Sequence, residues 1–223
     1  MRIEKSDLTI TTEKALEGYD ARAVRGFFGR LFKAVPAFHG HNGEAFSYKH
    51  PLIQYKVLDG EALITGLKEG AYLLKAVPPL KQLIVHGESL HVVTQSRNDD
   101  VVDFGLCDRP IEYQFITPWI ALNQDNYRTY CACTDDPEGV GRLLTRVLIG
   151  NLLSISKAVK YVVDNTIALE LNPEACNVLE AKRRVHLMGF SCRFQTNFII
   201  PENWGVGKFS SHGYGVVARV KNT

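Results

Sequence analysis

Gly205-Val206-Gly207-Lys208-Phe209-Ser210-Ser211-His212-Gly213-Tyr214-Gly215 reads as Gly-x-Gly, five residues, then Gly-x-Gly. Trp204 precedes it, and only eight of the chain's 223 residues follow Gly215. Neither the Rossmann nor the Walker spacing is met, and eight residues cannot supply the helix that either motif needs. A dinucleotide-binding or P-loop fold is therefore not expected. Glycines admit positive φ and the close approach of another segment. Bare N–H groups along such a loop would form an anion-binding concavity, with Lys208 suited to phosphate beside it. The plain alternative is a glycine-rich turn ahead of a last strand.

Working outward, residues 215–221 read as that strand, and residues 185–200 as one or two strands bent at Gly189. Thr166 to Leu171 is another strand. Glu138 to Lys160 is a long amphipathic helix whose apolar side holds Val140, Leu144, Val147, Leu148, Leu152 and Ile155, with Arg142 and Arg146 opposite. Asp135-Asp136 reads as its N-cap region, residues 122–137 as a polar linker and residues 95–110 as a loop. Ile111 to Thr117 is a strand. The second half is thus β-α-β-β-loop-β, with the glycine loop where a second helix would stand.

The first half carries the full pattern. Residues 6–12 alternate as a strand. Asp20 is the expected N-cap of a helix from Ala21 to about Lys33. Val24, Phe27, Phe28, Leu31 and Phe32 share one arc, while Arg22, Arg25, Arg30 and Lys33 share the other with Gly26 and Gly29. That cationic arc is either a solvated face or a surface for a phosphate backbone. Residues 52–58 and 62–66 are strands across an Asp59-Gly60 turn, residues 67–77 a short helix, and residues 83–85 and 90–93 strands across Gly87. The order is β-α-β-β-α-β. The expected class is α+β, with two tandem ferredoxin-like units over residues 1–95 and 110–223.

The totals narrow the function classes only mildly. Net charge is +2 and apolar content 45%, which is ample for a core. Five cysteines without a C-x-x-C pair predict free thiols and a cytoplasmic protein. The N-terminal residues lack a signal-peptide core, and no apolar run approaches the ~18–20 residues of a membrane span. Chemistry concentrates in Phe38-His39-Gly40-His41-Asn42-Gly43-Glu44. Two imidazoles two residues apart, with a glycine to bend the loop, can serve as base and acid near neutral pH. His-x-His also opens metal sites, but no carboxylate cluster completes a shell here, so no metal or other cofactor is expected. Tyr48 could donate to a phosphate oxygen, or simply enter a strand. Lys33 stands where it could stabilise a charged phosphorane. Lys182-Arg183-Arg184 is a basic run that could border a nucleic-acid path.

These pieces resemble the CRISPR-associated repeat-RNA endoribonucleases of the Cas-six family, b subtype. Residues 25–32 (Arg-Gly-Phe-Phe-Gly-Arg-Leu-Phe), 38–41 and 51–57 are similar to that subtype's first half. Residues 148–154, 188–190 and 203–208 are similar to its second. The resemblance implies a metal-independent cut in which the RNA 2′-hydroxyl attacks the adjacent phosphate and leaves a cyclic phosphate. It assigns catalysis to His39 and His41, assistance to Tyr48, and a lysine role to Lys33, with Arg30 as the competing choice. The expected RNA contacts are Arg22, Arg25, Arg30, Arg142, Arg146, Gly205, Gly207, Lys208, Ser210, Ser211, His212, Gly213 and Gly215. The implied partner is CRISPR repeat RNA, with a homodimer and association with effector-complex subunits as further expectations. The competing function is an RNA-binding subunit of a CRISPR complex that does not cut.

Overall fold

Strand β1 (Arg2–Thr12) turns Leu8 and Ile10 into the core and Lys5, Asp7 and Thr9 to the opposite face, as strand alternation requires. The computed structural model that shows this describes residues 1–38, 41–42, 45–46, 50–171, 177–180 and 188–221. Helix α1 (Ala21–Leu31) lays Val24 and Phe28 on the core side. Two short strands follow, β2 (His41–Asn42) and β3 (Ala45–Phe46), paired antiparallel with His41 opposite Phe46. Then come β4 (Ile53–Leu58), β5 (Glu61–Leu67), α2 (Glu69–Lys75), β6 (Gln82–Val85) and β7 (Glu88–Asp103). Asp59-Gly60 and His86-Gly87 join the two hairpins with positive φ at both turn residues, the geometry that matches strand twist.

The sheet order is β4-β5-β1-β7-β6. With β6 set aside as an added edge, this is the 4-1-3-2 order of a βαββαβ ferredoxin-like unit. The unit comprises Arg2–Val102 together with Ser210–Gly213.

The other unit comprises Met1, Asp103–Phe209 and Tyr214–Thr223. Its elements are β8 (Gly105–Phe115), α3 (Gln124–Ala132), α4 (Pro137–Ala158), β9 (Leu169–Leu171), β10 (Asn177–Glu180), β11 (Met188–Ser191), β12 (Arg193–Ile199) and β13 (Val217–Arg219). The main sheet runs β13-β8-β12-β9, again 4-1-3-2. Helix α4 fills the first crossover. Between β12 and β13 the regular turn is one 3-10 turn at Ser210–His212, so a loop does replace the second helix. Trp119 and Trp204 are fully buried here, with Phe115 stacked on Trp119 at 5.1 Å. The Tyr113 hydroxyl donates to the Ile200 carbonyl and accepts from its N–H, tying β8 to the end of β12.

Several local expectations give way. Residues 95–110 are strand rather than loop, because β7 extends along β1 to Asp103. Thr94 Oγ1 donates to Thr11 Oγ1, and Arg2 reaches the Val101 carbonyl. Strand pairing overrides the turn-prone composition. The polar stretch 122–137 holds α3, capped by Asn123, whose side chain accepts from the Asn126 N–H at 2.7 Å. The strand break falls at Cys192, not Gly189. Asp20 does not cap α1. Its carboxylate accepts instead from the Glu17 N–H and from His86. Cys107, Cys131 and Cys133 are free thiols, whereas Cys192 is disulfide-bonded, against the expectation of thiols throughout. Among the described residues no helix is long and apolar enough to cross a membrane.

Candidate nucleic-acid interface

The glycine loop is held by its own amides. The Trp204 N–H donates to Pro201, Val206 to Gly215, Lys208 to Ile120, Gly215 to Pro118 and Val217 to Trp204, all onto backbone carbonyls at 2.8–3.2 Å. These N–H groups are spent on the fold and are not available to an anion. The glycines have packing reasons. Gly207 has φ 88, and a Cβ there would lie 2.6 Å from Trp119 Nε1. Gly215 has φ 65, and a Cβ would meet the Val206 carbonyl at 2.0 Å. Gly205 is buried. What the loop leaves in solvent is Lys208 and the ring of Phe209.

The next four residues, Ser210–Gly213, belong to the first-half unit. Ser210 is buried, while Ser211, His212 and Gly213 are half-buried. His212 Nε2 lies 2.7 Å from Arg25 Nη1. A guanidinium can only donate, so His212 accepts there as a neutral ring with its proton on Nδ1, the side facing Ser211 Oγ. His212 is therefore a brace for Arg25 and not a cation. Burial lowers the Arg25 pKa from its ordinary value, opposed by Tyr55 and aided by Arg22.

The other helix cations divide. Arg22 and Arg30 are exposed and line a groove of about 370 Å³ with Ala23, Gly26, Ile84, His86 and Gly87. Lys33 is exposed beyond the end of α1. On α4, Arg142 pairs with Asp136 at 3.3 Å and Glu138 at 3.2 Å, so carboxylates already answer its charge. Arg146 is exposed.

His39 and Tyr48 lie outside the described residues, as do Lys182, Arg183 and Arg184; His41 is described only as backbone in β2. Both roots of the histidine loop are visible. Phe38, just before His39, is buried with its ring 4.3 Å from Phe32, and its carbonyl accepts from the Tyr55 hydroxyl at 3.0 Å. His50 at the far root is buried, with Nε2 3.1 Å from the Gln54 amide nitrogen. The chain is thus packed on either side of residues 39–49. Among the described residues no group of three or more His, Cys, Asp or Glu is placed to hold a metal ion.

A buried cation lies on the sheet face opposite α1. Lys56 is 0% exposed, and its Nζ donates to Thr65 Oγ1 at 3.0 Å. Burial pulls its pKa down to about 7, against the raising influence of Asp7. Sequence reading passed over Lys56, since an alternating strand gives no sign that its polar face is covered. It also passed over Ile84, whose wall of the groove is about sixty residues from α1 in the chain.

Comparison with known proteins follows the same division of the chain. Residues 1–100 match the Cas6b N-terminal domain family and residues 105–220 the Cas6b C-terminal domain family. An uncharacterized protein of Methanocaldococcus jannaschii is 36% identical over 142 residues, 64% of this chain and 95% of that protein. A crystal structure of Cas6b aligns with TM-score 0.88 at 31% identity, covering 99% of this chain and 100% of that one. A second, of a CRISPR RNA processing endoribonuclease Cas6b, aligns with TM-score 0.72 at 29% identity, over 97% and 100%. Both halves match in order and nearly the whole length aligns with a solved structure, so this chain belongs to the Cas6b family.

Proposed function

We propose that the protein is an endoribonuclease that cuts the repeats of a precursor CRISPR transcript to release guide RNAs, and that it needs no metal. The single observation that carries this is the ordered match of both halves to the two Cas6b domain families. The reaction is an internal transesterification. The 2′-hydroxyl oxygen upstream of the cut bonds to phosphorus, the P–O5′ bond breaks, and a 2′,3′-cyclic phosphate remains. One imidazole of the pair His39 and His41 takes the 2′-hydroxyl proton, and the other protonates the departing O5′. Tyr48 donates to a phosphate oxygen. Lys33 or Arg30 offsets the extra negative charge of the phosphorane.

Phe38 and His50, which flank the histidine pair in the chain, are both packed into the first-half unit. Arg22, Arg30, Arg146 and Lys208 supply exposed positive charge for the RNA backbone. Arg25, Ser210, Ser211, His212 and the loop glycines are further RNA contacts in this reading. The catalytic loop belongs to residues 1–95, and the glycine loop, within residues 110–223 of the chain, gives Ser210–Gly213 to the first-half unit. We place the enzyme in the cytoplasm, where its transcript is made, with a homodimer and an effector complex as its assemblies.

The test is repeat RNA from the array of the same genome, incubated with and without EDTA, with the product ends then analysed. Cleavage in EDTA yielding a cyclic phosphate is expected, and a 2′-deoxyribose just upstream of the cut should abolish it. Metal-dependent cleavage would overturn the mechanism. Binding without any cleavage would favour a non-cutting RNA-binding subunit instead.

A further inference from the structure

The groove between α1 and the β6–β7 turn combines two residues that are locally poor choices for the fold. Gly26 sits mid-helix, where glycine is the least favourable residue after proline. Packing does not demand it. A Cβ at Gly26 would meet only the far end of the Arg30 side chain, at 3.6 Å, an ordinary contact. His86 holds φ 50 in a turn position that Asn, Asp or Gly fills most easily. Both line the same groove. Places where local rules are broken without a packing reason are where function is expected.

The rest of the lining indicates the occupant. Arg22, Gly26 and Arg30 are spaced i, i+4, i+8, so the two arginine Cα atoms stand about 12 Å apart along the helix axis, and the Arg30 guanidinium reaches back to lie over Gly26. On the facing wall, Ile84 is 38% exposed. His86 adds its ring, and the ring of Tyr19, 66% exposed, lies 6.0 Å from it. The neighbouring carboxylates are already engaged: Asp20 with His86 and the Glu17 N–H, and Glu88 with Lys14. The groove therefore presents positive charge on one wall and an aliphatic and ring surface on the other.

We propose that this groove is a nucleotide subsite for the RNA strand. Arg22 and Arg30 hold phosphates, the sugar–phosphate chain passes over Gly26, and one unpaired base lies on Ile84 beside His86 and Tyr19. This rests on the RNA-cleaving reading above and adds a site to it. Stacking of a base on an aromatic side chain, here Tyr19 or His86, has a typical single-substitution effect of about 5- to 150-fold in affinity.

The probe is repeat RNA blocked against cleavage by a 2′-deoxyribose at the scissile position. Gly26→Leu should leave the thermal midpoint at or above wild type and weaken RNA binding by about tenfold or more. Ile84→Ala, at an exposed position, removes apolar contact area and should weaken it by about fivefold. Abasic substitution along the repeat should find a position that costs affinity in the wild type and costs little more in Ile84→Ala. If wild-type protein binds and cuts the repeat while both variants bind it equally well, the subsite is wrong and the RNase reading stands. If wild-type protein neither binds nor cuts the repeat, both fall together.

Discussion

The glycine loop at 205–215 and helix α1 at 21–31 look alike as sequence, since each interleaves glycines with cations. In the structure their glycines differ in kind. Gly207 and Gly215 sit at positive φ against Trp119 and the Val206 carbonyl, where no side chain fits. Gly26 sits in a helix with space for one. The cations differ as well. Arg142 is answered by two carboxylates and Lys56 is sealed in the sheet, whereas Arg22 and Arg30 face a groove. A glycine that the fold cannot do without says little about a ligand. A glycine that the fold could replace says more.

The comparison can be broken most forcefully at the chemistry itself. Replacing His39 and His41 together by alanine should lower single-turnover cleavage by at least ~10²–10⁴-fold while repeat-RNA affinity stays close to wild type. An affinity loss of similar size would make these residues part of the grip. Gly215→Ala comes next. Strain at positive φ and a clash with a backbone carbonyl should cost about 2–5 kcal/mol, read as a lowered thermal midpoint. An unchanged midpoint would erase the distinction between the two glycine regions.

Lys56 sharpens the contrast between cations. Its folded pKa, near 7, lies below the 10.5 of an exposed lysine, so the unfolded chain binds more protons between those values. Stability should therefore rise as pH climbs from about 7 towards 10, by up to ~1.4 kcal/mol per unit, and Lys56→Met should flatten that slope. Denaturant midpoints at pH 7, 8 and 9 check this. Gly26→Ala should raise stability by about 0.5–1 kcal/mol. The smallest effect concerns salt. Arg22→Ala should reduce the slope of log affinity against log salt by about 1, and Arg142→Ala should reduce it by less, because its charge is already paired.

Much of the architecture was legible along the chain. Alternation marked β1, and the Asp59-Gly60 turn marked β4 and β5. The 3.6-residue apolar period marked α1 and α4, and the eleven-residue glycine stretch marked the crossover without a helix. The misses share a cause. Residues 95–103 have a loop's composition and become strand because β1 offers a partner. Helix α3 buries no residue, so it lacks the apolar stripe that would announce it. Asp20 stands where a cap belongs but turns to Glu17 and His86, the latter sixty-six residues away.

By itself, then, the sequence determined the doubled βαββ pattern and the long helices α1 and α4, because each is written in local periodicity or spacing. Tertiary structure alone decided which amides and cations are spent on the fold, that His212 is a neutral brace for Arg25, and that α1 and the His86 turn share a groove. The reason is physical. Hydrogen-bond partners, burial and the walls of a groove come from residues distant in the chain, and no local pattern records them.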